Sequence, residues 1–376
     1  MKNYPEPISL DVDCCRERQR ALLGVLERLK ADRAVIARPE HVQYLTGFRP
    51  HRLMCAALSL DSNGHCLLVS PNCPPDAAAA DAVVTFPAQY HATLRQEQAL
   101  AAAETLGKAL GERQVARRLA VEYRCFGSHL RQATIGAADV ELVDIEPELW
   151  RLRRRKYPDE LRMIARAEAC TEAMYARARE IIRPGISELD VFCELHAAAV
   201  TAAGEPLTDL GNDFQCNSPG GPPRPRAAQV GELFIIDLGP AYRGYYADNC
   251  RTFAVGGRAS DEQLKAWERI VAVLDMIERT VRPGVKCRSV FEQAQQMLDC
   301  YCPKSFCHHL GHGFGLFPHE APHLNPHWDD TFEEDEVFTA EPGLYKPELR
   351  AGIRLEQNYR VTATGVERLN SFPLDL

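Results

Sequence analysis

No stretch of the 376 residues approaches the roughly 20 consecutive apolar residues that a helix needs to span a bilayer. Residues 1–20 lack the apolar segment of an export signal, being interrupted by Asp11, Asp13, Arg16 and Glu17, so no signal peptide and a cytoplasmic location are expected. There is no surplus of positive charge either. The formal net charge is −8, and such a surface repels phosphate backbones, which argues against nucleic acid as a partner and, with no spanning helix, against a membrane. The one basic run, Arg151-Leu152-Arg153-Arg154-Arg155-Lys156, reads as a solvated linker between domains. Cysteine is not scarce, at fourteen residues. In a long chain without an export signal these are expected as free, reduced thiols, with Cys66, Cys170 and Cys193 buried among apolar neighbours. Cys300, Cys302, Cys307, His308 and His309 have the residue types of a zinc cluster but the spacing of no common zinc module.

What is present is a balance of 45% apolar and 26% charged residues over a length that calls for two or more domains. Up to about residue 150, helical and strand-like patterns alternate. A stripe at Ala21, Leu22, Val25, Leu26 and Leu29 is followed by the apolar run Ala34–Ala37, by strand-like 54–60 and 65–70 around the turn at 61–64, by an Ala-rich helix at 99–110 and by strands at 118–122 and 141–145. This order predicts an α/β domain over 1–150. A second domain, 151–376, opens on Pro158-Asp159-Glu160, suited to a helix N-terminus, and this helix is expected to reach about Ile182. Ser187, with Asp190 three residues on, starts another. Ile182-Arg183-Pro184-Gly185-Ile186 is echoed by Val281-Arg282-Pro283-Gly284-Val285, and Val191-Phe192 at the same offset by Val290-Phe291. The echo predicts an internal duplication with a cleft between similar lobes.

The second domain also carries the candidate chemistry. The apolar strand 233–238 contains Asp237, and eleven residues later stands Asp248, after a turn that would bring the two carboxylates together. Two ionised carboxylates side by side repel, and a cation between them removes that repulsion. His308-His309-Leu310-Gly311-His312-Gly313 sets histidines among glycines, and His319 follows. Glu341 and Glu356 each end a short apolar run. Taken singly, each has a structural explanation: His312 as a satisfied core histidine, the glutamates as partners of Arg354.

The ordered set Asp237, Asp248, His312, Glu341 and Glu356 resembles the five metal ligands of the pita-bread metallopeptidases, the family of methionine aminopeptidase, aminopeptidase P and prolidase, with creatinase a metal-free cousin. The flanking words agree: Ile236-Asp237-Leu238-Gly239, Gly244 to Phe253, Glu341-Pro342-Gly343-Leu344-Tyr345 and Gly352-Ile353-Arg354-Leu355-Glu356. The match covers 156–376 well and the first half more loosely, through Tyr44-Leu45-Thr46-Gly47-Phe48. It implies a creatinase-like α/β N-terminal domain and an α+β pita-bread catalytic domain, and a homodimer. Two divalent ions are implied, manganese first, with cobalt, zinc or iron(II) also suited to four carboxylates and an imidazole. Asp237 would chelate one ion, Asp248 and Glu356 would bridge both, and His312 and Glu341 would complete the other. Between them a hydroxide would attack the scissile carbonyl of a small peptide or amino-acid-derived substrate. Arg354 would orient the ligands, His319 would donate to the carbonyl oxygen, and His308 would line the substrate site.

One departure concerns substrate. Aminopeptidase P, prolidase and creatinase carry a histidine in the loop before the first aspartate, and the corresponding residues 217–226 contain none. Arg224 and Arg226 stand there instead, either to bind a carboxylate or as part of a solvated loop. The expected activity is that of an Xaa-Pro peptidase. The alternatives are a small-molecule C–N hydrolase or lyase on the same fold and a non-catalytic binding module, against which the complete ligand set speaks.

Overall fold

The alternating runs of the first half form strands of one mixed sheet. In the computed structural model, which describes residues 4–111, 116–136, 139–211 and 213–376, the strands lie in the order Ala82–Phe86, Cys66–Pro71, Ala57–Asp61, Arg33–Ile36, Arg118–Val121 and Glu141–Asp144. Arg33–Ile36 is fully buried, antiparallel to Ala57–Asp61 and parallel to Arg118–Val121. The helix Gln98–Leu110 covers one face. Its small Ala101, Ala102 and Ala103 and the larger Leu106 and Leu110 share a core with Val35, Leu67, Val69 and Val121. The Tyr44–Phe48 word closes a short helix, Pro39–Thr46, that the sequence pattern did not reveal, and Gly47 ends it with a positive φ of 78°.

The chain divides into two compact units, residues 9–153 and residues 4–8 with 154–376. The basic run near this division is not the solvated linker its charge suggested. It continues the helix Glu146–Arg154; Arg153 is 4% exposed and Lys156 5%. Arg154 pairs with the fully buried Glu336 and donates to the Thr331 carbonyl over 2.9 Å. Counter-charges and carbonyls brought in from elsewhere in the chain make its burial tolerable, and no local pattern announces them. All fourteen cysteines are unpaired. Cys66 and Cys170 are buried, but Cys193 is exposed, because Val191, Leu195 and Ala199 take the inner face of its helix, Glu188–Ala203.

In the second unit the duplicated words adopt the same hydrogen bonding. Helix Pro158–Ile181 turns through Gly185 into Glu188–Ala203, and helix Asp261–Thr280 turns through Gly284 into Cys287–Tyr301. Gly185 has φ 90° and Gly284 φ 89°, a region glycine occupies without strain. The Gly185 amide donates to Ala228 and the Ala228 amide to Ile186, and Gly284 and Phe332 repeat the exchange with Phe332 and Val285. Ser187 caps its helix by accepting from the Asp190 amide at 3.0 Å.

Each helix pair is followed by a sheet. The first has three strands, in the order Asn249–Ala254, Leu233–Leu238, Asp213–Cys216. The second has five: Glu320–Leu324, Gly311–Gly313, Val337–Ala340, Gln357–Val361, Val366–Arg368. Among the described residues, no helix is long and apolar enough to cross a membrane.

Candidate metal centre

Asp237 lies on the middle strand of the three-stranded sheet, in register with Asp213 on one side and Cys250 on the other. Its neighbours Ile235, Ile236 and Leu238 are wholly buried. Asp248 immediately precedes the adjoining strand, delivered there by the hairpin of Ala241–Tyr242 and Tyr245–Tyr246. Asp237, Asp248 and Glu356 offer oxygens that all lie within 4.8 Å of one another.

The second sheet supplies the other donors. His312 sits at the centre of Gly311–Gly313, and its glycine neighbours allow the sheet to close around it. A Cβ on Gly311 would stand 1.9 Å from the Thr339 carbonyl oxygen, and one on Gly313 2.2 Å from that of Ala321. Glu341 follows the strand Val337–Ala340 directly, its amide donating to the Leu310 carbonyl over 2.8 Å. His312 Nε2 stands 3.5 Å from Asp248 Oδ2 and 3.6 Å from Glu341 Oε1. All five predicted ligands are thus brought together.

Two observations test whether a cation fits here. The first concerns the His312 tautomer. Its Nδ1 is 3.0 Å from the Gly313 carbonyl, which can only accept, so Nδ1 carries the proton. Burial, ahead of every neighbouring charge, pulls this imidazole down to about 3, so the ring is neutral. Nε2 therefore points a bare lone pair between two carboxylates, an arrangement that is unfavourable until a positive ion lies among the three. The second is Glu356. It is 1% exposed; one oxygen accepts from Thr339 Oγ1, while Oε2 is buried without a hydrogen-bond partner. Burial, then the other carboxylates, raises Asp248 and Glu356 well above the ordinary carboxylate range and Asp237 to about 7. Glu341 goes the other way. Burial alone would raise it, but a hydrogen bond from His309 and the charges of the histidines around it outweigh that and hold it low. The donor set fits hard or borderline divalent ions.

Arg354 ties this acidic group together. Its Nη2 donates to Asp237 Oδ2 at 2.7 Å and to Asp213, and its Nη1 donates to the Tyr345 hydroxyl at 3.1 Å and to the Pro219 carbonyl at 3.2 Å. The Tyr345 hydroxyl in turn lies 2.9 Å from His308 Nε2. His308 Nδ1 faces the His309 carbonyl at 2.7 Å and so carries the proton, which makes Tyr345 the donor to Nε2. Both nitrogens of His308 are therefore engaged. His319 stacks on His312, ring centroids 3.7 Å apart, and among the described residues its ring nitrogens meet no hydrogen-bonding partner.

Three contributors escaped the sequence reading. Asp213 belongs to no motif; only its place opposite Asp237 reveals it. Tyr345 lay inside a quoted word without a role. His309 stands in both the cysteine–histidine run and the histidine–glycine run but has no role assigned by either, yet its Nε2 stands 3.0 Å from Glu341 Oε1.

Arg224 and Arg226 have other occupations. Arg224 forms a bidentate pair with Glu188, at 2.9 and 2.7 Å, and adds a bond from its own backbone amide; Glu188 is 0% exposed. Arg226 forms a bidentate pair with the buried Glu232. Each guanidinium is thus held by a buried glutamate, and leaving it would strand a buried charge, at about 3–5 kcal/mol.

The chain is similar to known proteins in sequence and in fold. Residues 162–363 match the family model of Metallopeptidase family M24, and residues 18–155 that of the Creatinase/Prolidase N-terminal domain. The putative dipeptidase YkvY of Bacillus subtilis is 29% identical over 283 residues, 73% of this chain and 76% of its own length. The Xaa-Pro dipeptidase of Pyrococcus furiosus is 25% identical over 370 residues, 96% and 99% of the two chains. Among solved structures, the prolidase from Pyrococcus horikoshii superposes with a TM-score of 0.81 at 22% identity, over 96% of this chain and 99% of that one. Dipeptidase PepE from Mycobacterium ulcerans gives 0.78 at 25% identity, over 98% of each.

Proposed function

This chain belongs to metallopeptidase family M24, and from that premise we propose that Asp237, Asp248, His312, Glu341 and Glu356 hold two divalent ions and that the protein hydrolyses small peptides, most simply at an Xaa-Pro bond. The observation that carries the reading is the bare Nε2 lone pair of neutral His312 directed between Asp248 and Glu341. Manganese is the first choice for a donor set rich in carboxylates, with cobalt, zinc and iron(II) behind it. When bound, such a pair of ions supplies Lewis acidity for a carbonyl and an acidified water as nucleophile.

The chain's own residues do the rest. Arg354 holds Asp237 in place and offsets the charge of the acidic group. His319, neutral because burial and then His309 lower its affinity for a proton, presents an N–H to the oxygen on which charge develops. His308, held by Tyr345 and the His309 carbonyl, forms a fixed wall of the substrate site. A reducing, cytoplasmic setting agrees with fourteen unpaired cysteines, and the homodimer rests on the family resemblance. The absence of a histidine from residues 217–226 favours a second reading, a small-molecule C–N hydrolase at the same centre.

Elemental analysis of the purified protein, followed by assays on Xaa-Pro dipeptides and small amides with manganese, cobalt and zinc, tests the proposal. Two ions per chain and turnover lost with their removal are expected. Full turnover without metal would sink it.

A further inference from the structure

His309 reaches the same carboxylate as His312. Its Nε2 is 3.0 Å from Glu341 Oε1, and its ring centroid lies 5.2 Å from that of His312 and 5.5 Å from that of His319. Two atoms bound to one ion at about 2.1 Å stand about 3.0 Å apart at a right angle and about 3.4 Å apart at the tetrahedral angle. His309 Nε2 and His312 Nε2 lie 3.0 and 3.6 Å from the same Glu341 Oε1, and His312 Nε2 lies 3.5 Å from Asp248 Oδ2, separations that fall around those spans. His308 belongs to the same cluster of possible donors, but both its nitrogens are engaged. The His309 ring, among the described residues, meets no hydrogen-bonding group except Glu341.

Resting on the two-ion reading above, we propose that His309 is a sixth protein ligand, its Nε2 binding the ion that His312 and Glu341 hold. On ion binding the ring exchanges its N–H···O bond to Glu341 for a lone pair directed at the ion, and its remaining proton resides on Nδ1. The two ions then differ in kind. One has two imidazoles beside its carboxylates, a set suited to zinc, cobalt or iron(II); the other has carboxylates alone, a set suited to manganese or magnesium. The site is thereby built to take two different metals.

Zinc K-edge X-ray absorption tests this, because imidazole rings scatter recognisably beyond the first shell. The full-length protein with one equivalent of zinc should show two imidazoles, and His309→Ala and His309→Gln should each show one. In chelator competition both variants should bind zinc about tenfold or more weakly, with manganese affinity changed much less. Circular dichroism and the unfolding midpoint of each metal-free variant confirm that it folds. An unchanged imidazole count overturns the assignment, and does so even if zinc binding weakens, because His309 then only orients Glu341. Wild-type protein that takes up no zinc, manganese or cobalt overturns the two-ion reading as well, so the two failures are distinguishable.

Discussion

Arg354 Nη2 donates to Asp237 Oδ2 across 2.7 Å while also pairing with Asp213, so one guanidinium bridges two strands of the same sheet. Nothing else that Asp237 is hydrogen-bonded to among the described residues carries a positive charge. Arg354→Ala is therefore expected to lower metal affinity and kcat/KM by about 10–100-fold, the usual effect of losing a residue that orients a ligand. Arg354→Lys should recover part of the affinity and little of the geometry, since an ammonium cannot span both aspartates and Tyr345. Isothermal titration of metal-free protein measures it; unchanged affinity in the alanine variant would remove Arg354 from the centre.

His312 and His319 are stacked but should fail differently. His312→Ala is expected to lower metal occupancy. His319→Ala should keep its metal and lose about 10²–10³ in kcat, or about 2.7–4 kcal/mol, the cost of one donor to a developing oxyanion. Metal content and steady-state kinetics on the same preparations separate them. A His319→Ala enzyme altered in KM alone would contradict its assignment.

The metal-free protein should lose stability as pH rises from about 6.5 to 8. Asp237, Glu168 and Glu336 are raised to about 7, chiefly by burial, and Asp248 and Glu356 lie higher. A raised carboxylate binds its proton more tightly folded than unfolded, so its contribution is complete below the unfolded value and is lost as pH passes the folded one. His309, also raised, because its bond to Glu341 outweighs burial, acts in the same direction. His308, His312 and His319 are lowered and oppose this at more acid pH, but above about 6.5 their unfolded forms are already deprotonating. Saturating manganese should flatten the profile and add about 2.7 kcal/mol at a hundredfold excess over Kd. Thermal melts with chelator and with metal provide the check; a metal-free midpoint that climbs over this range would refute the account.

Arg224→Ala should act on stability and leave KM for free-carboxylate and amide substrates equally affected. It leaves Glu188 buried without its partner, at about 3 kcal/mol, read by urea unfolding. A variant of wild-type stability with KM raised only for the acid would restore Arg224 to the substrate site.

The candidate centre was legible in the sequence where each proposed ligand sits inside a local word that must be glycine-rich or apolar to deliver it, as at Gly311-His312-Gly313 and Ile236-Asp237. It was not legible where the contact is long-range. Asp213 acts through strand register with Asp237, and Arg154 is placed by Glu336, 182 residues away. The missing loop histidine made Arg224 a candidate for substrate; only the fold shows that Glu188 pairs with it. The helix pairs were readable because their turns demand Pro and Gly, and the exposure of Cys193 was not, because an alanine-rich helix shows weak sidedness.

The repeated helix pairs place Asp237 and Asp248 with the first sheet and His312, Glu341 and Glu356 with the second. With the proposed ligands divided in this way, the full two-ion set is complete only once both sheets have formed. A nascent chain emerging from a ribosome would present Asp237 and Asp248 well before His312, Glu341 and Glu356. The proposed two-ion chemistry would then wait for the last part of the chain, and a copy lacking either sheet is expected to lack it.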